Sequence, residues 1–273
     1  MTAEDAQKLA IMEQDVKIAR AMSTIKHKIV VMSGKGGVGK STVTVKLAEE
    51  FTRNGYRVCV LDADVHGPDI PKMMHVKEPE ITMTGNLINP IPTPLGATVM
   101  SIEFFLPSEN TPVIWRGPKK TGAIRQLLAD VNWEDVDVLI VDNPPGTGDE
   151  PLTVLQSVPG IDGVIVVTTA QEVSIHDVEK CINMVNQLNV PILGIIENMS
   201  YLQCPECGKK LFLFGKDGGK YLSDKFDLPF LGQIPFETEI SEDNKSSPIS
   251  DINTEMVNIF NRLETYLKDG GVN

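Results

Sequence analysis

Ile29-Val30-Val31-Met32-Ser33-Gly34-Lys35-Gly36-Gly37-Val38-Gly39-Lys40-Ser41-Thr42 is the stretch that decides the fold. An apolar run of strand type leads into a glycine-rich turn, and a helix-like segment follows it. The turn fits the phosphate-binding loop pattern, Gly, four residues, then Gly-Lys-Ser. Glycines let successive backbone N–H groups converge on one anion without Cβ clashes. The helix that starts at Ser41 adds the positive end of its dipole. In this pattern Lys40 reaches the β- and γ-phosphates of a nucleotide, and the Ser41 hydroxyl ligates Mg²⁺. Lys35 is a second lysine inside the loop. A monomeric site does not need it, which points to a nucleotide shared across a dimer.

The same letters also spell a dinucleotide fingerprint, Gly34-x-Gly36-x-x-Gly39, with Asp62 at the end of the next apolar run. That reading makes no use of Lys40-Ser41. It also leaves a later Asp-x-Pro-Pro-Gly without a purpose, so a nucleoside triphosphate is the ligand expected.

Working outward, strand and helix signals alternate. Strands are expected over 28–33, 57–61, 136–141, 163–168, 192–196 and 229–234. Helices are expected over 41–53, 119–130, 174–188 and 253–267, the first stopped by Asn54-Gly55. Residues 66–113 are rich in Pro and Gly and read as a long excursion with a hairpin and no clear helix. Residues 4–23 read as an amphipathic helix with Leu9, Met12, Val16 and Ala19 on one stripe, packed on the domain edge or forming an arm. Short apolar strands separated by helices imply an α/β fold, a mostly parallel, doubly wound sheet covered on both faces. The organisation expected is an arm over 1–24 and one domain over 25–273, interrupted at about 199–227 by a glycine-rich segment that carries a cysteine pair.

Ligands of such sheets bind at the carboxyl ends of strands. The candidate groups all lie there. Asp142 closes the run Val138-Leu139-Ile140-Val141 and is placed to act on Mg²⁺, directly or through water. Asp62 could hold the same ion. Asp64 could orient or deprotonate the attacking water, and His66 reads as a loop residue. The N–H of Gly146, in Asp142-Asn143-Pro144-Pro145-Gly146-Thr147-Gly148-Asp149-Glu150, could sense a γ-phosphate and make that loop a switch.

The chain has 273 residues and a formal net charge of −12, with 41% hydrophobic residues. That charge argues against nucleic acid and anionic membrane as main ligands. No apolar run approaches a membrane span, and the first residues lack the features of a signal peptide, so a cytoplasmic protein is expected. Four cysteines in such a chain do not suggest a disulfide scaffold. Cys59 lies in a strand and Cys181 in a helix, where a buried thiol is the ordinary outcome. Cys204-Pro205-Glu206-Cys207-Gly208 differs: two thiols on a tight turn can share one metal. A thiolate centre usually takes four ligands, so a two-fold axis facing two copies would complete it. Spacing alone leaves an iron–sulfur cluster and zinc both open.

The double-lysine loop Gly34–Thr42 resembles the deviant Walker A motif of the dimeric P-loop ATPases that include nitrogenase iron protein, MinD, ParA and the Mrp proteins. Four further strings narrow the resemblance. They are Asp62-Ala63-Asp64-Val65-His66-Gly67-Pro68, Trp115-Arg116-Gly117-Pro118-Lys119-Lys120-Thr121-Gly122-Ala123-Ile124, Asp142–Glu150 and Glu197-Asn198-Met199-Ser200-Tyr201. With Cys204 and Cys207 they resemble the Mrp (ApbC-like) iron–sulfur cluster carrier ATPases from about Ile25 to the C-terminus.

The resemblance implies a P-loop NTPase fold and a homodimer that hydrolyses ATP with Mg²⁺. It implies a 4Fe–4S cluster bridging the two subunits, apo iron–sulfur proteins as recipients, and donor or scaffold proteins as sources. It implies that Lys35 reaches the partner's nucleotide, and that Asn198, Pro235 and Phe236 lie around the adenine. Residues 1–27 contain no cysteine, so the extra N-terminal cluster of some eukaryotic relatives is not expected. A MinD- or ParA-like positioning ATPase binding membrane or DNA, and a zinc-bridged regulatory dimer, are the alternatives.

Overall fold

Along the central strands, alternate side chains go to opposite faces and both sets are apolar. Val30 and Met32 join one core, while Ile29 and Val31 join the other; Leu139 and Val141 face the first core, Val138 and Ile140 the second. A strand buried on both faces needs a helix layer on each side, and the chain supplies them.

The computed structural model describes residues 2–64, 67–106, 117–204, 206–236 and 249–268. Val65, His66, Trp115, Arg116 and Pro205, which belong to the motifs above, lie outside the described residues.

In chain order the elements are α1 (Ala3–Met22), β1 (His27–Ser33), α2 (Lys40–Arg53), β2 (Val58–Asp62), α3 (Ile70–Met73), β3 (Met83–Thr84), β4 (Leu87–Ile88), β5 (Ile91–Pro92) and β6 (Thr98–Ser101). A short 3₁₀ turn over Ile102–Phe105 precedes α4 (Gly117–Asp130), β7 (Val138–Asp142), α5 (Asp149–Ser157), β8 (Gly163–Thr168), α6 (Glu172–Gln187) and β9 (Ile192–Glu197). The chain continues with β10 (Leu202–Gln203), β11 (Lys210–Leu211), α7 (Gly218–Phe226), β12 (Phe230–Gln233) and α8 (Ile249–Lys268).

Eight strands form one sheet in the order β12-β9-β8-β1-β7-β2-β6-β5. All its pairings are parallel except that of β5 with β6. The chain places β7 between β1 and β2 and then crosses to β8 on the far side of β1, so the order reverses around β1, where its phosphate loop emerges.

α4, α5, α6 and α7 supply one face through Leu128, Val154, Val178, Ile182 and Leu222. α2 and α8 supply the other through Leu47, Phe51, Met256 and Phe260. Phe51 meets Phe260 edge-to-face at 5.0 Å, a geometry worth about 0.5–1.5 kcal/mol beyond burial. Gly55, at φ +87°, ends α2 as expected.

The structure differs from the sequence reading in several places. The stripe expected to seat the first helix is exposed: Leu9 is 47%, Met12 64% and Val16 67% accessible. The residues that pack are Ile18, Met22 and Ile25. Arg125 of α4 holds this end of α1 through Asp15 and Gln14 at 2.6 and 3.0 Å. α1 is apolar on two faces, and the i, i+4 pair nearest the domain is the one that docks. Within 66–113 the β3–β4 hairpin is present, but the segment also contains α3 and a central strand, β6, paired with β2. α5 and α7 are likewise elements the sequence reading lacked.

Candidate nucleotide and thiol site

Two glycines of the loop after β1 need left-handed backbone: Gly37 at φ +80° and Gly39 at φ +78°. Gly39 is the N-cap of α2, and no side chain caps that helix end, which leaves it open to an anion. Gly34 is required for space, since a Cβ there would lie 2.4 Å from the backbone of Asp177 and Val178 in α6. A Cβ at Gly39 would lie 2.1 Å from the Asn198 carboxamide, which donates to the Val38 carbonyl at 2.9 Å. Gly36 and Val38 complete the turn, Val38 buried in the α2-side core.

Asp142 stands at the end of β7 and collects three donors. Lys40 Nζ at 2.5 Å and Ser41 Oγ at 2.8 Å donate to Oδ2. Thr44 Oγ1 donates to Oδ1 at 2.6 Å. Lys40 and Asp142 are both buried, at 6% and 1% side-chain accessibility. Thr42 opens the same helix. The loop lysine, the hydroxyl and the strand-end carboxylate expected at a nucleotide site are therefore in contact before any ligand is considered.

Asp62 lies beside Asp142 in strict register, β2 against β7. Its carboxylate accepts from the Asp64 N–H at 3.1 Å and from Ser101 Oγ at 3.2 Å. Burial, and then the Asp142 carboxylate, push the Asp62 carboxyl well above the usual range. Asp64 is half-buried, and its Oδ1 accepts from the Gly67 N–H at 3.4 Å. Gly146 sits at φ +90°, and its N–H donates to the Ser33 carbonyl at 2.8 Å. To meet a phosphate it must leave that carbonyl. Lys35 Nζ donates to Gln171 of its own chain at 3.2 Å.

At the end of β9, Glu197 is fully buried. Its carboxylate accepts from the Gly219 N–H at the start of α7 at 2.6 Å and from Gln233 at 3.1 Å. Burial raises its carboxyl against those hydrogen bonds. Asn198 follows, and Pro235 and Phe236 lie alongside: the Phe236 N–H donates to the Tyr201 carbonyl at 2.9 Å. Sequence reasoning missed Thr44, Ser101 and Gln171. Thr44 had a signal, being one helical turn after Lys40; the other two are brought in by topology.

Cys204 and Cys207 lie in the turn of the β10–β11 hairpin. The Cys204 N–H donates to the Lys209 carbonyl and the Gly208 N–H returns to Cys204, at 3.0 and 2.8 Å. Cys204 is half-buried and Cys207 exposed. Backbone N–H groups of Cys207 and Glu206, then the Cys207 thiol, pull the Cys204 thiol below its usual value, toward thiolate. Cys59 and Cys181 are buried as expected, and burial pushes both thiols up to about 12. Among the described residues no group of three or more His, Cys, Asp or Glu side chains is placed to hold a metal.

A family model described as NUBPL iron-transfer P-loop NTPase, of the ParA group, matches residues 24–267. The chain belongs to this family. An iron-sulfur cluster carrier protein of Methanocaldococcus jannaschii is 54% identical over 88% of this chain and 83% of its own length. A cytosolic Fe-S cluster assembly factor NUBP2 homolog of Dictyostelium discoideum is 47% identical over 81% of this chain and 84% of its own. Among solved structures, a nucleotide-binding protein of Archaeoglobus fulgidus in complex with ADP superposes with a TM-score of 0.73. It is 37% identical, over 89% of this chain and 92% of that one. MinD of Aquifex aeolicus, from its complex with MinC, shares the fold at a TM-score of 0.59 and 19% identity, covering 88% of this chain and 96% of that one. The fold is that of a P-loop NTPase, with the mostly parallel sheet that its alternating elements predicted.

Proposed function

We propose that the protein is a cytoplasmic, homodimeric, Mg²⁺-dependent ATPase that carries a 4Fe–4S cluster and transfers it to apoproteins. The observation that carries this reading is the pairing, in one chain, of a phosphate loop bearing Lys35 with a thiol hairpin that has half a ligand set. The names of the relatives support the same cargo.

In this reading the N–H groups of Gly34–Thr42 and the Lys40 ammonium hold the β- and γ-phosphates. Ser41, Asp142 and Asp62 are hard oxygen donors that suit Mg²⁺, which would neutralise phosphate charge. Asp64 takes the proton of the water that attacks the γ-phosphorus, giving ADP and phosphate. Lys35 leaves Gln171 and reaches the partner's nucleotide, where its charge favours the transition state. Asn198, Pro235 and Phe236 flank the adenine, and Gly146 reads the γ-phosphate by leaving the Ser33 carbonyl.

Cys204 and Cys207 of two copies supply four thiolates to the cluster, the cargo. Donor or scaffold proteins deliver it, and thiolates of a recipient replace those of the carrier. In this reading neither membrane nor nucleic acid is a partner, since a net charge of −12 disfavours anionic surfaces.

Anaerobic reconstitution with iron and sulfide, followed by metal analysis and native mass, tests the reading. About two irons per chain in a dimer, lost in Cys207→Ala, is the expected result. Tightly held zinc, or a metal-free dimer that still hydrolyses ATP, would overturn the cargo.

A further inference from the structure

The thiol hairpin is mounted on the segment proposed to flank the base. On the way into β10, the Ser200 N–H and Oγ both donate to the Ile234 carbonyl, at 3.0 and 3.1 Å. The next carbonyl, of Tyr201, accepts the Phe236 N–H. On the way out of β11, the Phe214 ring lies against the Phe236 ring at 5.4 Å and 56°. The Phe212 ring meets Tyr201 at 6.2 Å, and Lys210 Nζ sits 3.9 Å over the same Tyr201 ring. Both arms of the hairpin thus end on the strand-end segment 234–236. Toward the phosphate loop the contact is the Asn198 carboxamide on the Val38 carbonyl.

Phe214 is only half-buried and belongs to neither core cluster, so packing of the sheet does not account for it. Its ring contact is with Phe236, on the expected base wall. A base stacking on an aromatic ring is favourable and would hold that ring and whatever leans on it.

We infer that Phe214 is a positioning residue that couples purine occupancy at Phe236 to the exposure of the thiols at Cys204 and Cys207. The inference rests on the proposed adenine site and deepens it. Filling the phosphate loop alone does not move the hairpin; filling the base site does. By linkage, whatever binds the thiols changes purine nucleotide affinity by the same factor.

The test uses the metal-free full chain and reads alkylation rates at Cys204 and Cys207 by peptide mass analysis. Cys59 and Cys181 are buried and serve as silent controls. A non-hydrolysable ATP analogue with Mg²⁺ is compared with inorganic tripolyphosphate, and binding of each is measured separately. The expected result is a change of about fivefold or more with the analogue and none with tripolyphosphate. Phe214→Ala should bind the analogue as wild type does and lose the change, and Phe214→Tyr should restore it. The inference is overturned if Phe214→Ala keeps the full effect, if tripolyphosphate reproduces it, or if bound analogue leaves wild-type thiols unaltered. A wild-type chain that binds no analogue would instead sink the nucleotide reading and this inference with it. Unfolding of the Ala variant is detected by circular dichroism; Phe214→Leu, which keeps the bulk and loses the ring, must then show the same loss of coupling.

Discussion

Asp142→Asn is the substitution that most directly tests the ligand-free geometry of the site. The carboxamide is nearly isosteric. Its oxygen can take the place of Oδ2 and accept from Lys40 and Ser41. Its NH₂ then faces Thr44 Oγ1, which can accept because that hydroxyl already has a second acceptor, the Lys40 carbonyl at 3.1 Å. What is lost is the charge opposite Lys40, at a pair 6% and 1% exposed. The variant also removes the Asp142 charge that helps raise the Asp62 carboxyl, while burial, the larger cause, remains.

Removing one partner of a buried ion pair costs about 3–5 kcal/mol. With an acceptor retained, the lower end applies: about 3 kcal/mol of stability in urea at neutral pH, with nucleotide and divalent cations removed. A phosphate arriving at wild-type Lys40 must displace Asp142, and in the variant it need not. Affinity for triphosphate in EDTA should therefore rise, by up to about a hundredfold if all of that energy returns on binding. Mg²⁺-supported turnover should be lost. A variant as stable as wild type, with unchanged or weaker Mg²⁺-free binding, would refute the claim that Asp142 is the resting partner of Lys40.

Gly34→Ala places a Cβ 2.4 Å from α6 backbone; a cost of about 1–3 kcal/mol in urea denaturation and weaker nucleotide binding by calorimetry are expected. Gly36→Ala, whose Cβ would meet nothing nearer than Pro145 Cγ at 3.9 Å, should leave stability nearly unchanged. Asp137 is held below the usual carboxylate range, first by Arg57 and then by Lys26. Its contribution is present at neutral pH and is lost as pH falls from about 4 through its depressed value; acid unfolding curves of Asp137→Asn should be flatter over that range. Alkylation of the native chain at neutral pH, read by mass, should modify Cys204 and Cys207 alone, with Cys59 and Cys181 reacting only after denaturation.

The strands that were legible are those whose burial on both faces forces a continuous apolar run, such as Val138–Asp142 and Gly163–Thr168. β6 was not, because its four residues sit among prolines and glycines and gain strand character only by pairing with β2. α7 begins at Gly218-Gly219, a poor helix start by propensity. The carboxylate that receives its Gly219 N–H comes from Glu197, far back in the chain. The phosphate loop, Asp62 and Asp142 were legible because each immediately follows an apolar run, and parallel topology sends every such end to one edge. Ser101, Gln171 and Phe214 were not, because only the folded chain brings them to Asp62, Lys35 and Phe236.

The charge balance at that edge supports the proposal that it takes a cation as well as a phosphate. Two carboxylates, Asp62 and Asp142, are each about 1% exposed and stand side by side in register, with one buried ammonium between them and the loop. One lysine can offset one anion. Two buried anions at such close range would repel each other with little solvent to screen them. Burial, and then the Asp142 carboxylate, raise the Asp62 carboxyl well above the usual range, while its two oxygens accept from Ser101 Oγ and the Asp64 N–H. A further positive charge joining the two carboxylates would offset their repulsion and favour the ionised form of Asp62. In the proposed cycle a triphosphate that takes Lys40 away from Asp142 makes the need for that charge larger, because both carboxylates then lose the buried ammonium that offsets them.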